Sequence, residues 1–322
     1  MTVSSTVDTP DRDGAVYLMT DELEHAVRIA LATGRPLLLR GDPGSGKSSL
    51  APFLARQEGW RFYKHVVTAR TQAQDLLWTF DSVRRLGDAQ RPEGQRGKWH
   101  EHRYIDPGPL WWAFAPRSAA LRGSRPEHGM PERHRAVDKG NPSPRYPDHA
   151  VLLIDEIDKA DPDLPNGLLV PLGSGEFHVT EIDRTIVKEP PATDVELPGT
   201  AFTAPGLARH LVVVTTNEER ELPRAFLRRC VVAWLPEPDP RRLVDIARAH
   251  HGAGRADEEL AGDLARALDA ARGKARDSGQ RQPSTAEFLD AYRACVRLGI
   301  RRDTPTWEEL LRLTLLKPDH VR

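Results

Sequence analysis

The feature that most constrains this chain is a glycine-rich stretch ending in a lysine and a serine. Residues 41–48 read GDPGSGKS and lie between the apolar run LLL at 37–39 and a helical pattern over 49–57. The pattern G-x-x-x-x-G-K-[ST] between a strand and a helix predicts a phosphate-binding loop. The glycines let backbone N–H groups turn towards a polyphosphate, and the helix N-terminus adds partial positive charge. We therefore expect this chain to bind a nucleoside triphosphate.

Individual roles can be assigned within this stretch. Lys47 can reach the β- and γ-phosphates, and Ser48 can offer its hydroxyl to Mg²⁺. A chance lysine in a glycine-rich turn is the alternative, which the flanking strand and helix disfavour. The predicted nucleotide-binding residues are Gly41, Asp42, Pro43, Gly44, Ser45, Gly46, Lys47, Ser48 and Ser49.

Composition restricts the function classes that remain. The chain has 322 residues with 46 Lys and Arg against 47 Asp and Glu, so its net charge of −1 gives no electrostatic case for nucleic acid or membrane binding. Cys230 and Cys295 lie beside apolar residues and are interpreted as buried thiols in a reducing compartment. No apolar run is long enough to span a bilayer, and the polar N-terminus lacks the features of a signal peptide. These features favour a cytoplasmic protein.

The order of elements predicts an α/β fold, a P-loop NTPase parallel sheet flanked by helices. Apolar runs that read as strands are separated by helical patterns, which is the arrangement of a parallel sheet. After the prolines at 236–240 only helical patterns follow, so a small all-helical lid domain is expected over 238–322. The helices are predicted over 21–33, 164–172, 240–251, 257–276, 284–298 and 306–316, and the strands over 37–39, 62–69, 150–155 and 210–216, with a hairpin at 177–186.

Several segments fall outside this regular pattern. Residues 1–14 are predicted to be a disordered lead-in to an α/β domain over 15–237. Insertions are predicted over about 70–115, 116–148 and 188–206. The proline-rich and arginine-rich stretch 116–148 is interpreted as an exposed loop, either simply solvated or in contact with an anionic partner.

Acidic and amide side chains follow two of the predicted strands. The run VLLI at 151–154 ends in Asp155 and Glu156, and a buried parallel strand places such acids at the ligand-binding edge of a sheet. Asp155 is predicted to hold Mg²⁺, directly or through water, and Glu156 to polarise the attacking water. Asn217 ends another strand and can orient that water or contact the γ-phosphate. Asp158 and Asp161 are interpreted as solvated loop or capping residues.

A pair of arginines follows in the segment LPRAFLRRC at 222–230. Paired arginines at a helix end are commonly surface residues. In a ring assembly one of them, Arg229 or its neighbour Arg228, could instead reach the γ-phosphate of an adjacent subunit as an arginine finger.

These elements together resemble the AAA+ ATPases, and more closely the MoxR branch with its helix-2 insertion. The resemblance covers most of residues 17–316. It is carried by GDPGSGKS (41–48), PGPLWWAF (107–114), LLIDEIDKAD (152–161), TTN (215–217), LPRAFLRRC (222–230) and QPSTAEFLDAY (282–292). It implies that Ser48 and Asp155 hold Mg²⁺, that Glu156 activates water, that Asn217 is a sensor and that Arg229 or Arg228 is the finger.

The resemblance also implies an assembly and a partner. Relatives of this type form homo-oligomers, typically hexameric rings, and remodel a protein client, often with a von Willebrand factor A-type partner. Their bound ligands are ATP and Mg²⁺, and base contacts often come from the residues before the first helix, here Tyr17, Leu18 and Met19. Core packing explains these three residues equally well.

One departure and two alternatives remain at this point. Many AAA+ proteins carry a sensor arginine where this chain reads PSTA at 283–286, so that arginine is missing or displaced to Arg281. A nucleotide-gated adaptor that hydrolyses slowly and signals by its bound state is the first alternative to a remodelling ATPase. The second, a nucleic-acid-stimulated ATPase or a GTPase, is disfavoured as a nucleic-acid enzyme by the neutral charge.

Overall fold

A computed structural model describes residues 15–90, 101–132, 146–190, 200–251, 257–302 and 304–316. The predicted disordered lead-in at 1–14 lies outside the described residues, as do parts of all three predicted insertions. The described chain forms two compact units. The first, the sheet unit, comprises Thr20–Arg40 and the described residues of Ala51–Ala233. The second, the helical unit, comprises Val16–Met19, Gly41–Leu50 and the described residues from Trp234 onwards.

Strands and helices alternate along the first two thirds of the chain, and only helices follow. The strands are β1 (Leu37–Arg40), β2 (Trp60–Val66), β3 (Trp78–Phe80), β4 (Ile105–Pro107), β5 (Tyr146–Asp155), β6 (Glu176–Val179), β7 (Arg184–Val187), β8 (His210–Thr216) and β9 (Val231–Trp234). The helices are α1 (Asp21–Thr33), α2 (Lys47–Glu58), α3 (Ala73–Leu77), α4 (Ser82–Ala89), α5 (Pro109–Phe114), α6 (Pro116–Ala120), α7 (Asp163–Gly167), α8 (Leu169–Ser174), α9 (Arg224–Leu227), α10 (Pro240–His251), α11 (Glu258–Ser278), α12 (Thr285–Leu298) and α13 (Thr306–Thr314).

Five strands form the main sheet in the order β2-β5-β8-β1-β9. The pairs β2–β5, β5–β8 and β8–β1 are parallel, which confirms the predicted α/β fold with a parallel sheet. Their carboxyl ends meet at one edge, because Arg40 pairs with Thr216 and Val66 pairs with Asp155. Open α/β sheets bind their ligands outside this edge.

Helices cover the sheet because its strands are apolar on both faces. On one face Leu38, Leu152 and Val214 are fully buried in a core that also contains every residue of α5 from Leu110 to Phe114. Helix α1 packs against β1 and β8. Its bounds confirm the prediction, and it begins where the Thr20 hydroxyl accepts a hydrogen bond from the N–H of Leu23 at 3.2 Å.

Three local predictions need correction or completion. The hairpin predicted at 177–186 is confirmed, with Phe177 opposite Ile186 in an antiparallel pair. The helical prediction over 164–172 is confirmed except at Leu168, which separates α7 from α8; Pro171 has no N–H to donate to the carbonyl of Gly167. The exposed loop predicted from 116 is also wrong as far as residue 132, since Ala119, Arg122, Ser124 and Met130 are buried.

The helical unit has its own core. Helices α10 to α13 enclose buried side chains that include Leu264, Leu268, Phe288 and Tyr292. The four helices predicted after residue 240 are confirmed. None of the helices in the described part of the chain is both long and apolar enough to cross a membrane. The boundary at 237/238 stays a prediction, and the compact units group residues 41–50 with the helices.

Candidate functional site

The glycine-rich loop leaves β1 and ends where α2 begins at Lys47. Its lysine is buried, with 5% of its surface exposed. The ammonium group donates hydrogen bonds to the carbonyls of Gly41 at 2.6 Å and Asp42 at 2.7 Å. The loop therefore closes around its own lysine. Ser48 and Ser49 follow in the first turn of α2, and the N–H of Ser49 donates to the carbonyl of Gly46 at 3.2 Å.

Two residues of the helical unit lie directly against this loop. A Cβ atom at Gly44, whose φ is +80°, would lie 2.2 Å from the Cβ of Ser284. A Cβ atom at Gly46 would lie 3.5 Å from the ring of Tyr17. Tyr17 is one of the residues predicted to contact a base, and burial raises the pKa of its phenol. The segment is anchored by Arg242, which donates a hydrogen bond to the carbonyl of Leu18 at 2.7 Å.

Ser284 is itself held by a buried arginine. Arg272 of α11 is 5% exposed and donates to the carbonyls of Pro283 at 3.0 Å and Pro238 at 3.1 Å. It also lies 3.5 Å from the carboxylate of Glu237. Burial lowers the pKa of this guanidinium, and Glu237 opposes that shift. One side chain thus joins the segment before α10 to the segment before α12.

Arg281, the predicted substitute for the missing sensor arginine, contacts the first turn of α12. Arg281 is exposed and pairs with the Glu287 carboxylate at 3.3 Å. That carboxylate also accepts the N–H of Ser284 at 2.8 Å, and the Ser284 hydroxyl accepts the N–H of Glu287 at 3.3 Å. The contacts of Arg281 therefore support the capping box of α12. Its predicted sensor role stays untested.

In the sheet unit, Thr215 joins the two predicted catalytic acids. Its hydroxyl donates to the Asp155 carboxylate at 2.8 Å and accepts the N–H of Glu156 at 2.8 Å. Asp155 is buried, whereas Glu156 is partly exposed. Glu156 has a left-handed backbone with φ of 61° and ψ of 51°, which is uncommon for a residue with a side chain. The turn after β5 is thus held by β8 in a strained conformation of the kind that clusters at functional sites.

Asp158 places the loop that carries Asn217. Only 2% of its surface is exposed, so the interpretation as a solvated residue is wrong. Its carboxylate accepts the N–H groups of Asn217 at 3.1 Å and Glu219 at 2.9 Å. It fills the capping role that the sequence allowed, but from inside the protein. Asp155, Glu156 and Asn217 are therefore brought together at the ends of β5 and β8.

Each predicted catalytic acid has a lysine beside it. The Lys64 ammonium lies 3.3 Å from the Asp155 carboxylate. The Lys159 ammonium donates a hydrogen bond to the Glu156 carboxylate at 2.6 Å, and this bond raises the pKa of Lys159. Both lysines were missed. The signal for Lys64 was a single charge in an apolar strand, and the signal for Lys159 was its spacing of three residues from Glu156.

The arginine pair lies beyond the end of α9, in the sheet unit. Both Arg228 and Arg229 are exposed, and their guanidinium groups form no ion pair within the described part of the chain. They line a cleft of about 330 Å³ together with Arg35. Its other lining residues are Thr33, Gly34, Pro36, Leu169, Leu172, Gly173 and Phe226, none of them acidic.

A family profile described as the AAA domain, dynein-related subfamily, matches residues 36–230, which is more than half of the chain. The chain belongs to this AAA family. Among solved structures, it is similar to a crystal structure of a protein from Cytophaga hutchinsonii titled a "putative ATPase". The two share 14% sequence identity and a TM-score of 0.43 over 90% of this chain and 77% of that one.

Membership of the family makes this chain an AAA+ nucleotide-binding protein, and the residues present also fit a magnesium ion. No group of three or more His, Cys, Asp or Glu side chains within the described residues could hold a metal by itself. Mg²⁺ seldom needs one, because it keeps several waters and takes one or two protein oxygens beside phosphate oxygens. The Asp155 carboxylate of the sheet unit offers hard oxygen ligands of this kind. Lys64 beside Asp155 shows that this carboxylate already attracts a cation.

Proposed function

We propose that this AAA+ protein is a Mg²⁺-dependent ATPase of the MoxR type, which assembles into a hexameric ring and uses hydrolysis to remodel a protein client. The observation that carries the proposal is the Thr215 hydroxyl. It ties Asp155 and Glu156 to the strand that ends in Asn217, and so supports one catalytic edge rather than separate acids.

In this proposal each residue has one task. Lys47 and the N–H groups of the loop bind the phosphates, and Ser48 and Asp155 hold the metal. The metal, when bound, neutralises charge on the phosphate oxygens. Glu156 accepts the proton of the attacking water, and Asn217 orients that water. Catalysis then comes mainly from positioning and charge stabilisation.

The ring is proposed because the guanidinium groups of an exposed arginine pair form no ion pair with any residue that the structure describes. Arg229, with Arg228 as the alternative, would contact the γ-phosphate bound by a neighbouring subunit and stabilise the transition state. The absence of acidic residues from the cleft around them supports an anionic ligand from outside the chain. A von Willebrand factor A-type protein is one candidate partner.

Two variants test the core of the proposal. We expect Lys47→Ala to lose nucleotide binding, measured with a fluorescent ATP analogue. Glu156→Gln should bind ATP as the wild type does but stall turnover, measured as phosphate release. Near-normal hydrolysis by Glu156→Gln would remove Glu156 from the role of the base, and normal binding by Lys47→Ala would remove the loop from the site.

A second candidate function is favoured by the Glu156–Lys159 pair. The Lys159 ammonium donates a 2.6 Å hydrogen bond to the Glu156 carboxylate and so occupies an oxygen that would accept the proton of the attacking water, which would make hydrolysis by the isolated protein slow. Such a protein would act as an adaptor that signals by its bound nucleotide. Steady-state turnover with and without proteins captured by the ATP-bound Glu156→Gln variant separates the two. Turnover that rises when the captured proteins are added supports remodelling. Turnover that stays slow with and without them supports the adaptor.

A further inference from the structure

The backbone that carries the arginine pair is held by a third arginine, far away in the sequence. Arg35 lies between the end of α1 and the start of β1. Its Nε donates a hydrogen bond to the carbonyl of Arg229 at 3.1 Å, and its Nη2 donates to the carbonyl of Arg228. One planar guanidinium thus binds two successive carbonyls with the fork geometry that lysine cannot reproduce.

Within this turn, Arg35 is the residue that binds the carbonyls of Arg228 and Arg229. Phe226 is buried and anchors α9 from below, and Cys230 is buried after the pair. The N–H of Arg229 donates a hydrogen bond to the carbonyl of Phe226 at 2.9 Å. Helix α9 has only four residues, and no following turn among the described residues donates N–H groups to the carbonyls of Arg228 and Arg229. The N–H groups of Arg228, Arg229 and Cys230 are bonded within the turn, so Arg35 holds the two carbonyls that these bonds leave open.

Three arginines make the cleft beside this turn positively charged. Arg35, Arg228 and Arg229 line it, and no acidic residue does. An ideal Cβ atom at Gly173 would lie 4.0 Å from the Nε of Arg229, so the side chain of Arg229 lies beside Gly173 in this cleft. Three cations around one cleft repel one another unless an anion lies between or beside them. The arrangement therefore favours an anionic ligand over an apolar one.

We propose that Arg35 is the positioning residue of the arginine pair, which it aims at a phosphate group bound by a second copy of this chain. The proposal rests on the proposed function, since it needs a nucleotide site that is completed by a neighbouring subunit. Arg35 acts through the carbonyls of Arg228 and Arg229, and it does not contact the phosphate itself.

Two substitutions separate positioning from charge. Arg35→Met removes both the hydrogen bonds and the charge, whereas Arg35→Lys keeps the charge and loses the two-carbonyl geometry. Both should lower kcat, by about 10²-fold if the arginines shift by about 1 Å, while KM for ATP and the oligomeric state stay unchanged. Arg28→Met is the matched control, because Arg28 is an exposed arginine on α1 outside the cleft.

Mixed assemblies provide the decisive measurement. Arg35→Met subunits keep an intact nucleotide site, and Lys47→Ala subunits keep an intact arginine pair. Mixing the two inactive proteins should restore turnover, because arginines from Lys47→Ala subunits can serve sites of Arg35→Met subunits. A general loss of folding in Arg35→Met would damage its own site and would give no rescue.

The remaining outcomes are unambiguous. Normal turnover in Arg35→Met overturns the proposal, as does normal turnover in Arg35→Lys, which would reduce Arg35 to a charge. Loss without rescue also overturns it where Arg35→Met binds ATP as the wild type does, since the role would then lie within one subunit. If Arg35→Met does not bind ATP, the same mixing experiment with Arg35→Lys decides. The proposed function fails separately if Arg228→Ala and Arg229→Ala both hydrolyse ATP normally, because no trans-acting arginine then exists.

Discussion

Ser284 lies so close to Gly44 that no other residue fits at Gly44 without displacing it. An ideal Cβ at Gly44 would be 2.2 Å from the Cβ of Ser284 and 2.9 Å from its hydroxyl oxygen. The phosphate loop and Ser284, the N-cap residue of α12, are therefore in direct contact within the helical unit. This contact between Gly44 and Ser284 is called the joint below. A ligand that moves the loop must therefore also move the start of α12.

We predict that Gly44→Ala weakens nucleotide binding by at least about tenfold, because the loop must shift to relieve the contact. Gly279→Ala is the matched control. Gly279 has a similar left-handed φ of +66° but no atom within 4 Å of the ideal Cβ, so it reports the backbone penalty alone. Fluorescent ATP titration measures the difference.

The double variant Gly44→Ala/Ser284→Gly completes this test. Removing the Cβ and hydroxyl of Ser284 should recover part of the lost affinity, since the two substitutions act on one contact. If Gly44→Ala binds as the wild type does, or if the two effects simply add, the joint does not couple the loop to α12.

Arg272 is predicted to be the main support of that joint. Arg272→Met would leave the carbonyls of Pro238 and Pro283 and the carboxylate of Glu237 without their buried cation, which destabilises the helical unit by roughly 3–5 kcal/mol. Urea unfolding measures this loss. Hydrogen exchange should accelerate at residues 283–287, where the guanidinium holds the start of α12.

The control for Arg272 lies one turn further along α11. Arg276 is exposed, and Arg276→Met should change the free energy of unfolding by less than about 0.5 kcal/mol. Adding Glu237→Gln to Arg272→Met should restore some stability, because it removes the unpaired carboxylate. A loss of only 1 kcal/mol in Arg272→Met would mean that these contacts are weaker than their burial indicates.

Local patterns predicted most of the fold, but long-range contacts completed the candidate site. The loop at 41–48 and the run 151–155 are continuous in sequence, so their positions at a sheet edge followed from strand periodicity alone. Ser284 against Gly44 and Arg35 against Arg229 join residues separated by more than 190 positions. No spacing rule reports such a contact.

Burial explains why one residue and one segment were misjudged. Asp158 looks like a turn residue in the sequence, because charges after a strand are usually solvated. The return of β8 beside β5 covers it and converts it into a buried anchor. The segment after Pro116 has the composition of an exposed loop, yet Ala119 and Met130 fill gaps beside the buried Arg122.

Asp158 should matter for turnover and not for nucleotide binding. Asp158→Ala releases the N–H groups of Asn217 and Glu219, so the loop that carries Asn217 loses its register. We expect kcat to fall by about 10²-fold, as for other small displacements of a catalytic group, with little change in ATP affinity. Phosphate release and ATP titration on the same preparation measure the two quantities.

Two further variants make the Asp158 result interpretable. Both N–H groups donate to the same oxygen of Asp158, so the single acceptor oxygen of Asp158→Asn can serve both, but without the negative charge. Its turnover should lie between those of the wild type and Asp158→Ala. Asp161→Ala changes an exposed carboxylate in the same turn and should be nearly silent. Equal turnover in Asp158→Ala and Asp161→Ala would show that the buried contacts do not position Asn217.

The sheet unit should also lose stability in mild acid through His149. This histidine is buried beside Trp60, with ring centroids 5.2 Å apart, and burial with the nearby Arg209 and Arg61 lowers its pKa to about 4 against the opposing effect of Asp148. In the unfolded chain a histidine titrates near pH 6.5, so the unfolded state binds more protons between these values. Stability is therefore lost as the pH falls below about 6.5.

His149 alone should remove about 2 kcal/mol of unfolding free energy between pH 7 and pH 5. His210 acts in the same direction, since its burial and the neighbouring Lys188 lower its pKa as well. Urea unfolding at the two pH values should show a smaller loss for His149→Gln than for the wild type. Because carboxylates titrate alike in both proteins, this difference isolates His149. Identical losses would mean that His149 stays neutral in the unfolded chain or is solvated in the folded one.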